Sequence, residues 1–277
     1  MILRKFHWKK KIFIWAVLLV LLIGFCYWQN NDIVVTNIEY KNEKIPQEFD
    51  GYKILHVSDL HNKEFGSNQA RLVKHTQEIS PDIIVITGDL IDSNRTDLDI
   101  AMAYIEQAVE IAPVYFVSGN HEKYSGVYAE LSDKLKQAGV IMMDDNELIL
   151  KRKEKVISLF GLKDISFNGI DDFTQKLQNM KSDFFSILLS HRPELLDLYA
   201  RQHVDLVFSG HAHGGQFRLP FIGGLIAPDQ GFFPKITAGS YKNRDTTIIV
   251  SRGLGNSVVP IRIFNRPELV TVTLRSH

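Results

Sequence analysis

Five short apolar runs, each ending in an Asp, Asn or His, constrain this chain more than any other feature in it. YKILHVSD (52–59), DIIVITGD (82–89), VYFVSGN (114–120), FFSILLSH (184–191) and VDLVFSGH (204–211) are all apolar-rich, and the second is a continuous apolar run. A short continuous run that stops at turn residues reads as a strand buried on both faces. Helical patterns lie between them, at 68–79, 98–111, 127–138 and 192–202; in the first, Leu72, His75, Thr76 and Ile79 share a side. Residues 147–162 read as a hairpin around a charged turn at 151–155, and TTIIVSRG (246–253) and ELVTVTL (268–274) close the chain as strands. Alternating βα units with inserted hairpins imply an α/β core with mixed sheets. Such a layout gathers polar residues in the loops beyond the strand C-termini.

The first thirty residues are of another kind. IFIWAVLLVLLIGFCYW (12–28) carries no charge and, as a helix, would span roughly 25 Å. Arg4, Lys5, Lys9, Lys10 and Lys11 precede it, and the first base after it is Lys41. That asymmetry places the N-terminus in the cytoplasm and the body outside. Trp8, Trp15, Tyr27 and Trp28 stand near the ends of the run, where aromatic rings favour an interface. QNNDIVV after the run offers no pair of small residues for cleavage, so an uncleaved anchor is expected rather than a signal peptide. Phe25 before Cys26 argues against a lipoprotein signal, and a buried core helix fits poorly behind a basic cluster. The expected division is residues 1–30 as basic stub and transmembrane anchor, and 31–277 as the folded domain.

Composition excludes several classes. Lys plus Arg and Asp plus Glu are both 32, so no net charge recommends a nucleic-acid partner, and none is expected. One cysteine rules out an intrachain disulfide or a Cys-rich zinc site.

The chemistry sits at the strand ends. They deliver Ser58, Asp59 and His61; Gly88, Asp89 and Asp92; Gly119, Asn120, His121 and Glu122; His191; and Gly210, His211, His213, Gly214 and Gly215. Each alone has an ordinary explanation, since Asp caps helices and Asn and His fill turns. The His-x-His of FSGHAHGGQF (208–217) is a metal clamp or a pair of loop residues. Five such ends in one chain make the ordinary explanation improbable. Asp, Asn and His suit Mn, Fe, Zn or a similar divalent ion. There are more of them than one ion needs, and two ions about 3.5–4 Å apart can clamp a phosphoryl group.

The blocks SDLH (58–61), GDLID (88–92), GNHE (119–122), SH (190–191) and GHAHGG (210–215) resemble, in order and spacing, the calcineurin-like metallophosphoesterases. The Gly-Gly-Gln after the last block is similar to the membrane-attached bacterial branch. The resemblance implies a four-layer αββα sandwich with two mixed central β-sheets, preceded here by one N-terminal transmembrane helix. It implies two divalent metal ions, one on Asp59, His61, Asp89 and His213, the other on Asp89, Asn120, His191 and His211, with Asp89 as bridge. It implies that a metal-bound hydroxide attacks a phosphate ester, that His121 stands over the scissile phosphate as imidazolium, and that Asp92 orients His121.

Outside the blocks, His56 is expected in the core or supporting the site, and His7, His75 and His203 carry little weight. Glu122 is expected to hold neighbouring backbone. GGQFRLPFIGGLIAPDQGFFPKITAGSY, a long Gly/Pro/aromatic segment over about 214–243, reads as a substrate-side cap whose phenylalanines are not fully exposed. The expected enzyme is thus a phosphoesterase of the cell membrane, single-pass, with its domain outside the cytoplasm and a phosphorylated small-molecule or lipid-linked substrate. A pyrophosphate hydrolase of a lipid-linked or nucleotide-sugar (UDP-diacylglucosamine-like) substrate is the alternative, and a non-catalytic metal-binding scaffold a further one. The sequence leaves monoester, diester and pyrophosphate open, along with the metals and the oligomeric state.

Overall fold

The computed structural model describes residues 2–219, 221–256 and 260–276, with side chains from Trp8 onward. The side chains of Arg4, Lys5 and His7, and residue 220 of the long aromatic segment, lie outside the described residues.

Two six-stranded mixed sheets form the body. The first runs in the order Val34–Lys41, Glu268–Arg275, Lys53–Val57, Ile83–Thr87, Val114–Val117, Ile141–Met142. The second runs Gly239–Asn243, Thr246–Val250, Leu206–Ser209, Ser186–Leu189, Lys155–Gly161, Asn146–Arg152. Within the first, Lys53–Val57, Ile83–Thr87 and Val114–Val117 are parallel neighbours. Within the second, Lys155–Gly161, Ser186–Leu189, Leu206–Ser209 and Thr246–Val250 are parallel.

Successive side chains on a strand point to opposite faces, so each run feeds two cores at once. Ile54, Val85 and Val117 of the first sheet meet Leu159, Ile187 and Phe208 of the second between the sheets. Leu55, Ile84 and Phe116, one residue out of phase, pack under Leu72, Tyr104 and Leu131 of the helices Ala70–Ile79, Leu98–Ala108 and Tyr128–Gln137. Phe160, Leu188 and Val207 pack under Phe173, Leu177 and Tyr199 of Ile165–Asn179 and Leu196–Arg201. This is the αββα sandwich. Each fully buried Leu, Ile or Phe contributes roughly 1.5–3 kcal/mol of transfer free energy, which explains why the strands carry almost no polar residue before their ends.

The differences from expectation are local. The helix expected from residue 68 begins at Ala70, because Asn68 and Gln69 are left-handed, and Val73 rather than His75 is buried on its inner side. Val34–Lys41, unread as a strand, pairs in parallel with Glu268–Arg275 and so joins the two ends of the chain. Ile165–Asn179 also escaped notice, interrupted by Gly169 at φ 86°. The segment after residue 214 is not structureless. It holds two small hairpins, Arg218–Leu219 with Gly223–Gly224 and Ile226–Ala227 with Gly231–Phe232, before the strand Gly239–Asn243. Its phenylalanines are more exposed than expected: Phe221, Phe232 and Phe233 stand in solvent, and Phe217 alone is half-buried.

The helix Ile2–Asn31 contains a stretch, Trp8–Asn31, long and apolar enough to cross a membrane, and little of it touches the body. Its C-terminal turn does. Asn30 exchanges hydrogen bonds with the backbone of Arg262 and accepts from Asn256 at 3.1 Å. Lys63 donates to the Asn30 carbonyl and Arg71 to that of Asn31. Cations at carbonyls of a helix C-terminus complement its dipole. Phe25 meets Phe264 with ring centroids 5.7 Å apart.

Candidate metal centre

All the polar strand ends converge on one rim, because the strands that carry them are parallel and release their chains on the same side. Lys53–Val57 leads to Asp59 and His61, Ile83–Thr87 to Asp89 and Asp92, and Val114–Val117 to Asn120 and His121. Ser186–Leu189 leads to His191, and Leu206–Ser209 to His211 and His213.

Two clusters form there and share one carboxylate. Asp59, His61, Asp89 and His213 bring ligand atoms within 4.8 Å of one another, and so do Asp89, His191 and His211. In the first, the Nε2 atoms of His61 and His213 are 3.2 Å apart, and His61 Nε2 is 3.6 Å from Asp89 Oδ2. In the second, His191 Nε2 is 3.1 Å from Asp89 Oδ2, 3.2 Å from Asn120 Oδ1 and 3.2 Å from His211 Nδ1. All seven expected ligands therefore meet, and Asp89 lies between the groups. Asp89 Oδ2 is buried without a hydrogen-bond donor. A buried carboxylate oxygen costs free energy unless something satisfies it, and converging imidazole lone pairs have the same requirement. The donor set of carboxylate, amide oxygen and imidazole fits borderline divalent ions.

The backbone is bent to make this possible. Asp59, His61, Asp89, His211 and His213 all have positive φ, between 47° and 63°. Non-glycine residues adopt that region at a cost, and such strain gathers at functional sites. Two glycines permit the loops to touch. A Cβ on Gly119 would stand 2.3 Å from Asp89 Oδ1, and one on Gly210 would stand 1.9 Å from Ser58 Oγ.

Supporting contacts aim the rings. His191 Nδ1 donates to the Thr87 carbonyl at 2.7 Å, which turns Nε2 inward. His211 Nε2 is 2.8 Å from Asp229 Oδ2, which leaves Nδ1 facing His191. Asp229 also pairs with Arg192, which is held by Asp164 at 2.6 and 3.0 Å. Glu122 binds backbone as expected, accepting the N–H groups of Asp89, Leu90, Ile91 and Gly119 at 2.7–3.3 Å. His56 is a buried residue whose Nε2 meets Thr87 Oγ1 at 2.8 Å.

Asp92, expected to orient His121, lies in one group with both His121 and His61, their ligand atoms within 4.8 Å of one another. Its Oδ2 is 3.6 Å from His61 Nδ1, while its Oδ1 accepts the N–H groups of Asn94 and Arg95. His121 Nδ1 accepts the backbone N–H of Ser93 at 3.0 Å.

Burial sets the charge states. It pushes His61 down to about 3 and His211 to about 4, and with the neighbouring His61 it holds His213 well below the usual range, so three rings are neutral and able to ligate. Burial raises Asp59 to about 6. Burial opposes the charges of Asp89 and His191 too, but their mutual attraction outweighs it, holding Asp89 low and His191 up at about 10; a divalent ion held by this pair would take the place of the proton between them. Reading local sequence missed Arg192, Asp164 and Asp229, which reach the site only through tertiary contacts.

A four-layer α/β body with carboxylates and imidazoles crowded at one rim is the frame of a metal-dependent hydrolase. Residues 52–215 match the calcineurin-like phosphoesterase family, and the chain belongs to that family. It is 31% identical to the metallophosphoesterase YkuE of Bacillus subtilis, over 90% of this chain and 88% of that one. A metallophosphoesterase of Aquifex aeolicus is 30% identical, over 92% of this chain and 97% of its own. A zebrafish transmembrane protein with a metallophosphoesterase domain is 29% identical over 87% of this chain, which spans 57% of that protein. A dimetal phosphatase from Danio rerio shares the fold at a TM-score of 0.50 and 14% identity, covering 81% of this chain and 99% of its own. By family the chain is a phosphoric ester hydrolase.

Proposed function

We propose that the chain is a membrane-anchored phosphoesterase in which Asp59, His61, Asp89 and His213 hold one divalent ion and Asp89, Asn120, His191 and His211 hold a second. The observation that carries this is Asp89: it belongs to both clusters, and its buried Oδ2 has no donor. Mn, Fe and Zn all suit the donor set. When bound, a pair of such ions supplies Lewis acidity for the phosphoryl oxygens and acidifies a water into the nucleophile.

The protein's own share is positioning. Glu122 fixes the loop that carries Asp89. Thr87 fixes the tautomer of His191, Asp229 and Arg192 both meet Nε2 of His211 and hold its ring in place, and Asp92 stands behind His61. His121, whose Nδ1 accepts the Ser93 N–H, offers its other ring nitrogen to hydrogen-bond the phosphoryl group or the leaving oxygen. No covalent enzyme intermediate is needed; the single cysteine lies in the anchor. Residues 1–30 serve as stub and anchor, and the positive-inside asymmetry puts 31–277 outside the cytoplasm. Protease added to spheroplasts should digest the body and leave Met1 as the N-terminal residue; protection would reverse the topology.

A second reading is pyrophosphate hydrolysis on a lipid-linked or nucleotide-sugar substrate. It is favoured by contacts that bring the end of the apolar helix to Lys63, two residues from His61. Metal analysis paired with hydrolysis of bis(p-nitrophenyl) phosphate tests the leading reading. The wild-type chain should hold two ions and turn over. Asp89→Ala should lose metal at both positions and all activity. Two ions retained in that variant would remove the bridging role.

A further inference from the structure

We propose that the cleft between His61 and the end of the N-terminal helix is a subsite for a second anionic group of the substrate, a phosphate or carboxylate beyond the reacting phosphoryl group, bound by Lys63 and Arg95. This rests on the phosphoesterase reading above and extends it to the substrate's chemistry. The cleft, about 390 Å³, has His61, Asn62, Lys63, Arg95, Asp97 and Asn256 in its wall. His61 borders this cleft, while its fully buried side chain is turned to the candidate metal centre.

The charge balance of the wall is uneven. Lys63 is half-buried and packs over the Phe65 ring at 5.0 Å; burial, then the nearby Arg262 and Arg71, pull its pKa down to about 7. Among the described residues it donates to the Asn30 carbonyl, which takes one of the three protons of its ammonium form. Arg95 is mostly exposed, 3.6 Å from Asp92, and spends one N–H on the carbonyl of Asn256. The carboxylate in the wall, Asp97, is turned to the head of the helix Leu98–Ala108, where its Oδ1 accepts the N–H groups of Asp99 and Ile100. Asn62 is spent on the floor, its Oδ1 accepting the N–H groups of Asp92 and Asp97.

Two cations with protons to spare therefore line a cleft beside the reaction centre, in a chain whose total charge is zero. Capping the helix explains one proton of Lys63 and leaves the others unexplained. An anion in the cleft would favour the charged form of Lys63, which burial and two neighbouring arginines oppose. An anion would replace lost hydration with charge-assisted hydrogen bonds. The cleft also adjoins Asn30 through Lys63 and Asn256, so a head group carried on a membrane lipid and a free soluble anion can both present this chemistry.

The test is calorimetric, on the full chain in nanodiscs with manganese present, using phosphonoacetate, which carries a second anion, against methylphosphonate, which does not. Wild type should bind phosphonoacetate more tightly, and Lys63→Met and Arg95→Met should each reduce that preference, Lys63→Met about tenfold, the size of one charged hydrogen bond. A purely structural role for Lys63 would weaken both ligands together and leave their ratio unmoved. That result, or a wild type without the preference, overturns the subsite. Attaching a long alkyl chain to the phosphonoacetate identifies the source: tighter binding from the bilayer assigns a lipid head group, and equal binding a soluble anion, the subsite standing in either case. Bis(p-nitrophenyl) phosphate hydrolysis on the same sample separates the two failures. An active chain without the preference sinks the subsite alone; an inactive chain with it sinks the hydrolytic reading alone.

Discussion

Asp229 reaches back from the second small hairpin to place its Oδ2 2.8 Å from Nε2 of His211, eighteen residues earlier. Burial lowers the His211 pKa, whereas the hydrogen bond to His211 holds the Asp229 carboxylate down at about 2. A carboxylate on the outer nitrogen fixes which inner nitrogen can ligate and stiffens the ring. Asp229→Asn is therefore expected to weaken metal binding at the Asn120, His191, His211 position by about 10–100-fold. The Asp59, His61, His213 position should be much less affected. Stepwise metal titration checks this; equal weakening at both positions would make Asp229 a general support of the loop.

His121→Asn should keep both ions and lose about 10²–10⁴-fold in turnover, the usual contribution of a positioned proton donor. Its Nδ1 is occupied by Ser93 and its ring packs edge-on to His61 at 4.4 Å between centroids. A variant that loses metal instead would redraw the site with His121 as a ligand.

The acid limb of stability should reflect His56. Its ring is fully buried, and burial lowers its pKa from 6.5 to about 3. The unfolded chain then takes up a proton below about pH 6.5 that the folded chain refuses. The stability due to the neutral ring is complete above that pH and is lost as the pH falls toward 3. The slope approaches roughly 1.4 kcal/mol per pH unit. Urea unfolding of the metal-stripped chain at several pH values should show a shallower acid slope for His56→Gln than for wild type. Parallel slopes would exclude His56.

Phe232 and Phe233 were expected to be less than fully exposed, and their exposure now separates packing from recognition. Because both are exposed, Phe232→Ala and Phe233→Ala should leave unfolding free energy within about 0.5 kcal/mol. If the segment 216–241 selects substrate, the same variants should raise KM for substrates with an apolar group and spare a small aryl phosphate. Unchanged KM on both substrates would remove the segment from recognition.

The parts of the molecule visible in sequence are those whose cause is local. A strand buried on two faces must be apolar along its length and polar at its end, so Asp59, Asp89, Asn120, His191 and His211 were readable without coordinates. Val34–Lys41 was not, because its sides are largely half-exposed and its pairing partner lies at the other end of the chain. Ile165–Asn179 was hidden by Gly169, which interrupts the helical dihedrals. Arg192, Asp229 and Lys63 carry no local signature at all; their roles depend on what the fold sets opposite them. Nor does the closeness of Asp92 to Asp89 in sequence say which imidazole its oxygen meets.

The docking of Asn30 onto Arg262 and Asn256, with Phe25 against Phe264, has a kinetic consequence. Only Asp32 and Ile33 separate the helix from the first strand, and the last helical turn is itself bonded to the body. If the helix crosses a bilayer, the rim bearing His61 is held at one height and one tilt above it. A tethered catalyst of that kind responds to how many substrate molecules lie per unit of membrane area within its reach. Diluting such a substrate with inert lipid should then slow turnover even when its total amount in the tube is constant, whereas turnover of a freely diffusing ester should be indifferent to the lipid.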